Sequence, residues 1–157
     1  MFNVIASADI DNGKLVNLDD MSYITTANGV TVSNNEYFSM VQPVATKRVG
    51  LILSVPVGPD ATPKAATLES NFYNGTGEIM RVYDLMAGDR FTVSANGITP
   101  AASGTPIAVG SYVVADGYDL KESTSAPAAT VAFVGQIIEK ITRTNGVFYK
   151  IFVRKNG

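Results

Sequence analysis

The segment FVGQIIEKITRTNGVFYKIFVR, residues Phe133 to Arg154, decides the fold. Two runs rich in β-branched and aromatic residues flank the dipeptide Asn145-Gly146, which between such runs is the strongest short-range signal of a β-hairpin. With this dipeptide as a two-residue turn, the predicted cross-strand pairs are Thr144–Val147, Ile141–Lys150, Glu139–Phe152 and Ile138–Val153. This segment is therefore expected to form a long antiparallel hairpin.

The predicted hairpin has two chemically different faces. The apolar face suits a core and carries Ile138, Val147, Tyr149, Ile151 and Val153. The opposite face mixes aromatic and charged side chains: Ile141, Phe148 and Phe152 with Glu139, Arg143, Lys150 and Arg154. Glu139 is expected to lie diagonally from Lys150 and Arg154, and opposite charges so placed contribute up to about 1 kcal/mol. This face is too charged for a core and too aromatic for an ordinary surface, which makes it a candidate contact surface.

Asn-Gly or Asp-Gly dipeptides recur along the chain and mark further turns. They lie at positions 12–13, 28–29, 74–75, 96–97, 116–117, 145–146 and 156–157. Four further hairpins that contain such a dipeptide are predicted at residues 8–17, 23–33, 91–99 and 111–121. In the last of these, Val113 is expected to face Leu120. Short strands about ten residues apart, with turns between them, predict an all-β fold: a sandwich or small barrel built of hairpins.

Other segments complete this coarse prediction. Val49–Val57 is the most apolar run and suits a buried strand. Residues 135–143 favour strand over helix because their β-branched residues lead into the turn. That leaves Ala65–Tyr73 as the best candidate for one of at most two short helices. The Pro-rich loop 56–66 and the small-residue loop 123–130 are expected to be exposed.

Composition limits the classes of function. The 157 residues suffice for one domain with its own core, and we expect residues 1–157 to form one. The charged fraction of 17% is below the roughly 25% usual for soluble domains, which suits a protein that buries surface in an assembly. The net charge of −2 offers no field that attracts nucleic acid. No apolar run approaches membrane-spanning length and no signal-peptide pattern begins the chain, so we expect cytoplasmic synthesis without export or membrane insertion.

The chain contains no cysteine, histidine or tryptophan. This excludes disulfides, thiolate nucleophiles, and thiolate or imidazole metal sites, and we expect no cofactor. An enzyme would have to use paired carboxylates, such as Asp89 with Glu78 or Asp116 with Asp119. All four lie at predicted turns, where acidic side chains commonly bond the backbone, so catalysis is not expected.

One acidic segment is a possible cation site. Asp9–Gly13 (DIDNG) is similar to the start of a calcium loop, but its glycine comes one position early and the twelfth residue is Asp20, not glutamate. A loose calcium site that includes Asp19 and Asp20 is the alternative to ordinary turn and strand-end hydrogen bonding. We favour the hydrogen-bonding role and expect no metal.

Residues 1–8 (MFNVIASA) allow two interpretations. They are apolar enough to form an extended arm that adds a strand to a neighbouring subunit, with Phe2, Val4 and Ile5 as the contact residues. Alternatively, they form the first edge strand of the domain, and the same three residues belong to its core. The second interpretation is favoured.

The aromatic face of the last hairpin also allows two interpretations. Phe148 and Phe152 either bury against a partner subunit, with Lys150 and Arg154 pairing acidic groups there, or are covered by an internal loop such as 123–130. The covered arrangement is favoured. Alanine substitution separates the two, because a buried phenylalanine costs monomer stability and an interface phenylalanine costs assembly.

Three parts of the chain carry a family resemblance. They are Asn12–Val16 (NGKLV), Ala87–Val93 (AGDRFTV), and Val109–Val113 (VGSYV) followed by Phe133–Glu139 (FVGQIIE). In these turn-and-strand patterns the chain resembles the small β-rich decoration, or cement, proteins that tailed bacteriophages attach outside their capsids. The resemblance implies a non-catalytic virion protein, made in the bacterial cytoplasm, that binds the major capsid protein lattice from outside and stabilises it. It also implies a homo-oligomer, with a trimer favoured over a monomer.

A second class of function is a carbohydrate- or receptor-binding β-module of a phage tail or fibre. Its binding platforms would be exposed tyrosines, and the candidates are Tyr73, Tyr112, Tyr118 and Tyr149. The tyrosines fit a core or a binding role equally well. Glycan binding in solution would favour this class, whereas binding only to assembled shells would favour the decoration protein.

Overall fold

The computed structural model describes residues 1–27, 30–31, 36–54 and 73–157. Within these ranges the chain is all-β: it contains no α-helix and a single 3-10 turn, Ala95–Gly97, which confirms the predicted fold class. The predicted turn at 28–29, the loop 56–66, the end of the run Val49–Val57 and most of the helix candidate Ala65–Tyr73 lie outside the described residues.

Thirteen strands follow one another along the described chain: β1 Phe2–Ile5, β2 Leu15–Asn17, β3 Thr26–Ala27, β4 Val30–Thr31, β5 Phe38–Ser39, β6 Val49–Ile52, β7 Ile79–Asp84, β8 Arg90–Ser94, β9 Ile98–Thr99, β10 Tyr112–Asp116, β11 Asp119–Ser123, β12 Phe133–Arg143 and β13 Gly146–Asn156. The first sheet has the order β2-β6-β7-β1-β5, and the second sheet has the order β8-β13-β12-β10-β11-β9. The small hairpin β3-β4 stands apart from both.

The hairpin β12-β13 forms as predicted, but its register differs by two residues. Arg143 pairs with Gly146, so the turn is Thr144-Asn145, and Gly146 begins β13 with a φ of +139° that glycine tolerates. A shift of two residues in pairing leaves the side chains of a regular strand on their predicted faces, because side chains alternate along a strand with period two. The faces of the β13 side chains were therefore predictable, although their pairing partners were not.

Most of the predicted apolar face lies in the core. Tyr149, Ile151 and Val153 are buried, and Val147 packs partly buried against them. Ile138 was wrongly assigned to this face, because a bulge between Ile137 and Glu139 displaces it and leaves it 38% exposed. Ile137 takes the core position instead and is fully buried.

Two of the other predicted hairpins are confirmed. The pair β10-β11 forms with Ala115 opposite Leu120, again two residues from the predicted register, and β3-β4 forms with Thr26 opposite Thr31. The predicted hairpins at 8–17 and 91–99 were wrong. Their strands pair with distant segments, since β2 pairs with β6 and β8 pairs with β13.

The two sheets differ in how they are covered. Leu15, Val49 and Leu51 on one face of the first sheet join the second sheet in one apolar cluster. The opposite face of the first sheet is covered by loop side chains, which form a second cluster with strand residues such as Val4 and Met80. The second sheet contributes only one face to these clusters. Among the described residues, neither apolar cluster includes a side chain from its other face.

Candidate partner-binding face

The side of the second sheet that lies away from the apolar cluster is called here the outer face, and side chains of adjacent strands are aligned across it. Arg90 on β8 pairs with Phe152 on β13, Phe152 pairs with Gln136 on β12, and Gln136 pairs with Tyr112 on β10. The remaining members on β8, β12 and β13 are Thr92, Ser94, Glu139, Ile141, Phe148, Lys150 and Arg154. Four strands thus present one continuous row with an aromatic ring near its centre.

Phe152 is the centre of a cation–π cluster. The guanidinium carbon of Arg154 lies 4.8 Å from the ring centroid and that of Arg90 lies 5.7 Å away. Such contacts contribute about 0.5–1 kcal/mol each at exposed sites and more when water is removed. The ring is partly buried, whereas both arginines are exposed.

Arg154 is oriented by a hydrogen-bonded relay. Its Nε donates to Oε1 of Gln136 at 2.9 Å and its Nη2 donates to the same oxygen. The Gln136 amide in turn donates from Nε2 to the carbonyl oxygen of Gly110 at 3.1 Å. The guanidinium is therefore held over the ring before any partner arrives, which lowers the entropic cost of binding.

The outer face carries uncompensated positive charge. Lys150 is neutralised by Glu139, whose carboxylate lies 2.5 Å from the ammonium nitrogen, a pairing close to the predicted one. Neither Arg90 nor Arg154 pairs with a carboxylate in the part of the chain that the structure describes. Although the chain has a net charge of −2, this patch therefore presents two cations beside an aromatic ring.

The small-residue loop is largely exposed, as predicted for residues 123–130. It is held near the end of β13, where the Lys155 ammonium donates to the carbonyl oxygens of Ala129 at 2.8 Å and Val131 at 3.0 Å. Phe148 and Phe152 are each only partly buried. The substitution Phe152→Ala separates a role of this ring in folding from a role in association.

The N-terminal candidates lie in the first sheet. Strand β1 pairs with β7 on one side and β5 on the other, so it is an internal strand and neither a free arm nor the edge strand expected. Val4 is fully buried, which removes it from any contact surface while β1 stays in place. Phe2 and Ile5 are partly buried, and the Phe2 ring packs edge-to-face on Phe38 at 5.5 Å.

The candidate catalytic carboxylates each have a structural partner. Asp89 accepts a hydrogen bond from the Met86 amide at 2.8 Å, and Glu78 accepts one from the Gly75 amide at 2.8 Å. Asp116 pairs with Lys121 at 3.3 Å, and Asp119 pairs with Lys14. Asp89 and Glu78 thus have the predicted role of bonding the backbone at a turn, whereas Asp116 and Asp119 form ion pairs that the sequence did not predict.

The candidate calcium ligands are divided between two places. Asp19 and Asp20 pair with the basic residues Arg48 and Lys47, at 3.4 and 3.3 Å, away from the segment that contains Asp9. The pKa of Asp20 is lowered, first by the hydrogen bond from Asn17 and then by Lys47. Among the described residues, no three acidic side chains converge on a point that could hold a metal ion.

Glu122 is a buried residue that the sequence prediction missed. It is 4% exposed, and its two oxygens accept hydrogen bonds from the amides of Ala101 at 3.1 Å and Ala108 at 2.9 Å. Burial raises the pKa of this carboxyl, but hydrogen bonds from Ala108, Ala101 and Ser111 outweigh it and hold the pKa below the ordinary 4.5. The available signal was the alternation in β11, which puts Glu122 on the same face as Leu120.

Glu122 also supports the outer face from beneath. It anchors Ala108, two residues before Gly110, and the Gly110 carbonyl is the acceptor that holds Gln136. Gln136 in turn orients Arg154. Glu122 is therefore a positioning residue for the arginine, although it does not reach the surface itself.

The candidate tyrosines separate into three environments. Tyr149 is buried and donates its hydroxyl to the Ile107 carbonyl at 3.4 Å, so it cannot serve as a platform. Tyr112 lies in the row across the outer face. Tyr73 and Tyr118 line one cleft of about 360 Å³.

No family model, curated protein or solved structure matches this chain. Within the described residues there is no helix with the length and hydropathy needed to cross a bilayer. The surfaces described above, chiefly the outer face, are therefore the basis for a proposal about function.

Proposed function

We propose that this protein is a structural binding protein, a decoration protein that attaches to the outside of an assembled phage capsid and stabilises it. The observation that carries the proposal is Phe152, flanked by the uncompensated Arg90 and Arg154 on the outer face. Aromatic residues and arginine dominate the binding energy of protein interfaces. A surface of this composition on a β-sheet supports a role in binding another protein.

The partner that fits this face is a protein surface with acidic and apolar groups. Arg90 and Arg154 would pair its carboxylates, and Phe152 would enter an apolar contact from which water is excluded. In a decoration protein that surface belongs to the major capsid protein lattice, and the site of action is the exterior of the virion. Copies joined as a homo-oligomer, with a trimer favoured, would bind the repeating lattice with avidity that one modest contact lacks.

Replacing Phe152 by alanine is expected to weaken binding to assembled capsids that lack the protein by about thirtyfold, because a central interface aromatic contributes about 2 kcal/mol or more. Binding is measured by co-sedimentation, and the free energy of unfolding is measured in urea. The unfolding free energy should fall by only about 1 kcal/mol, since the ring is partly exposed.

Tyr83→Ala is the matched control, because Tyr83 is an exposed aromatic residue, at 38%, on the first sheet. This variant should bind capsids as the unchanged protein does. A Phe152→Ala protein that loses 3–5 kcal/mol of stability and still sediments with capsids at full affinity would contradict the interface role of the outer face.

The second candidate function is a carbohydrate- or receptor-binding module, and the specific observation that favours it is the cleft that contains Tyr73 and Tyr118. Tyrosine rings in a concave site are platforms for sugars and other ligands. The two functions separate experimentally, because a glycan-binding module binds soluble glycan by itself and a decoration protein requires the assembled shell.

A further inference from the structure

The cleft is formed by loop segments of the first sheet together with the β10-β11 turn of the second sheet. It is lined by three segments that are far apart in sequence: residues 8–11 after β1, Tyr73 before β7, and Tyr118-Asp119 at the β10-β11 turn, with Lys14 and Met40 completing it. Its volume of about 360 Å³ is at the lower end of the range for ligand-binding pockets, about 300–1,000 Å³. It therefore has room for a side chain with its stem, which is more than a bare ion needs.

Hydrogen bonds fix two of the cleft walls to each other. The main chains of Ile10 and Asn74 exchange bonds of 3.0 and 2.8 Å. The Asn74 side chain, only 2% exposed, also donates to the Ile10 carbonyl at 3.0 Å. The third wall is tied to β2, because the Leu15 amide donates to the Tyr118 carbonyl at 2.9 Å and Lys14 pairs with Asp119. A ligand thus meets a site that is already formed, which lowers the cost of binding.

The charge of the lining is negative and only partly compensated. The lining residues include three aspartates, Asp9, Asp11 and Asp119, and one lysine, Lys14. Since Lys14 pairs with Asp119, Asp9 and Asp11 have no cationic partner among the described residues. Asp9 is also held in position, because Oδ1 accepts bonds from the Thr76 amide at 2.8 Å and the Thr76 hydroxyl at 2.9 Å.

The aromatic side chains of the cleft favour the same class of ligand. Tyr73 is 49% exposed, and Tyr118 packs partly buried on the core with the rest of its surface toward the cleft. The faces of tyrosine rings attract cations, and carboxylates bind guanidinium groups through strong charge-assisted hydrogen bonds. A neutral sugar could contact the rings, but it would leave the two carboxylates uncompensated as it displaced their water.

We propose that this cleft is a binding site for a cationic side chain, an arginine or lysine presented by a segment of a partner protein. Asp9 and Asp11 bind the charged group and Tyr73 and Tyr118 enclose it. The site does not depend on the proposed role of the outer face, because the two share no residue and carry opposite charge. Either can fail in experiment while the other stands.

The test titrates the full-length protein with a short acetylated and amidated peptide that contains two arginines, and follows the backbone amide signals by NMR. The expected result is a saturable shift of signals from residues 8–11, 73–76 and 117–119, with weaker binding as salt screens the charges. The same peptide with citrulline in place of arginine, which keeps the shape without the charge, should bind at least about tenfold more weakly, because it cannot form charge-assisted hydrogen bonds.

Asp11→Asn should weaken binding of the arginine peptide to a similar degree. It should not affect the fold, because Asp11 is exposed. Glu36→Gln, a change to an exposed acid that does not line the cleft, should leave binding unchanged. The proposal is overturned if the citrulline peptide or a neutral maltooligosaccharide binds as well as the arginine peptide. It is equally overturned if the arginine peptide shifts no signal of the cleft at millimolar concentration, or if Asp11→Asn binds as tightly as the unchanged protein.

Discussion

Replacing Phe133 by alanine is expected to lower the free energy of unfolding by about 3–5 kcal/mol, the usual cost of removing a buried phenylalanine ring. Phe133 is 1% exposed and lies in the cluster that joins the two sheets, at the start of β12. Urea denaturation followed by far-ultraviolet circular dichroism measures the change. Domains of this size are stable by about 5–15 kcal/mol, so the variant should unfold at a much lower urea concentration.

The matched control is the same substitution on the other side of the hairpin. Phe152→Ala should cost only about 1 kcal/mol, because that ring packs on arginine side chains and not in an apolar cluster. The difference between the two variants measures how completely the outer face is uncovered. Equal losses of unfolding free energy would mean that a further part of the protein buries Phe152. The outer face would then no longer be a candidate partner-binding surface.

Removing the buried carboxylate of Glu122 is expected to have the second-largest effect. Glu122→Ala leaves the amides of Ala101 and Ala108 without their acceptor, and it should lower the unfolding free energy at neutral pH by about 3 kcal/mol. Binding to capsids should also weaken, because the loop that orients Gln136 and Arg154 loses its anchor. Equilibrium unfolding and co-sedimentation measure the two effects.

The Glu122→Gln variant tests the electrostatic part of this effect. Folding lowers the pKa of Glu122 below its ordinary 4.5, so the charged form stabilises the fold above that value. This contribution is lost as the pH falls through the lowered pKa. The difference in stability between the unchanged protein and Glu122→Gln should therefore be largest near pH 7 and shrink toward pH 3. A difference that stays constant over that range would contradict an ionised Glu122 in the folded protein.

The all-β class and the two faces of β13 could be predicted from the sequence, because both depend on local alternation and turn residues. The pairing could not be predicted, because alternation is unchanged by a shift of two residues, and both long hairpins shifted by that amount. The bulge at Ile138 has no local signal either. It lies where β12 leaves its partner β10 and continues with β13 alone.

For the candidate sites too, residues that are close together in the sequence could be predicted to lie together, whereas residues that are far apart could not. Phe148, Lys150, Phe152 and Arg154 were found together because one strand carries all four on alternate positions. Arg90 was missed as their neighbour because β8 reaches β13 only through a pairing across some sixty residues of chain. The cleft was missed as a unit because its three walls come from distant segments, although Tyr73 and Tyr118 had been singled out separately.

The most direct test of the central claim, that this protein serves by adhesion to a shell, is quantitative mass spectrometry of purified virus particles. The account predicts that the protein is present in a fixed ratio to the major capsid protein and that particles stripped of it lose resistance to heat. Particles that contain none of it, while the protein remains free in the lysate, would contradict the claim.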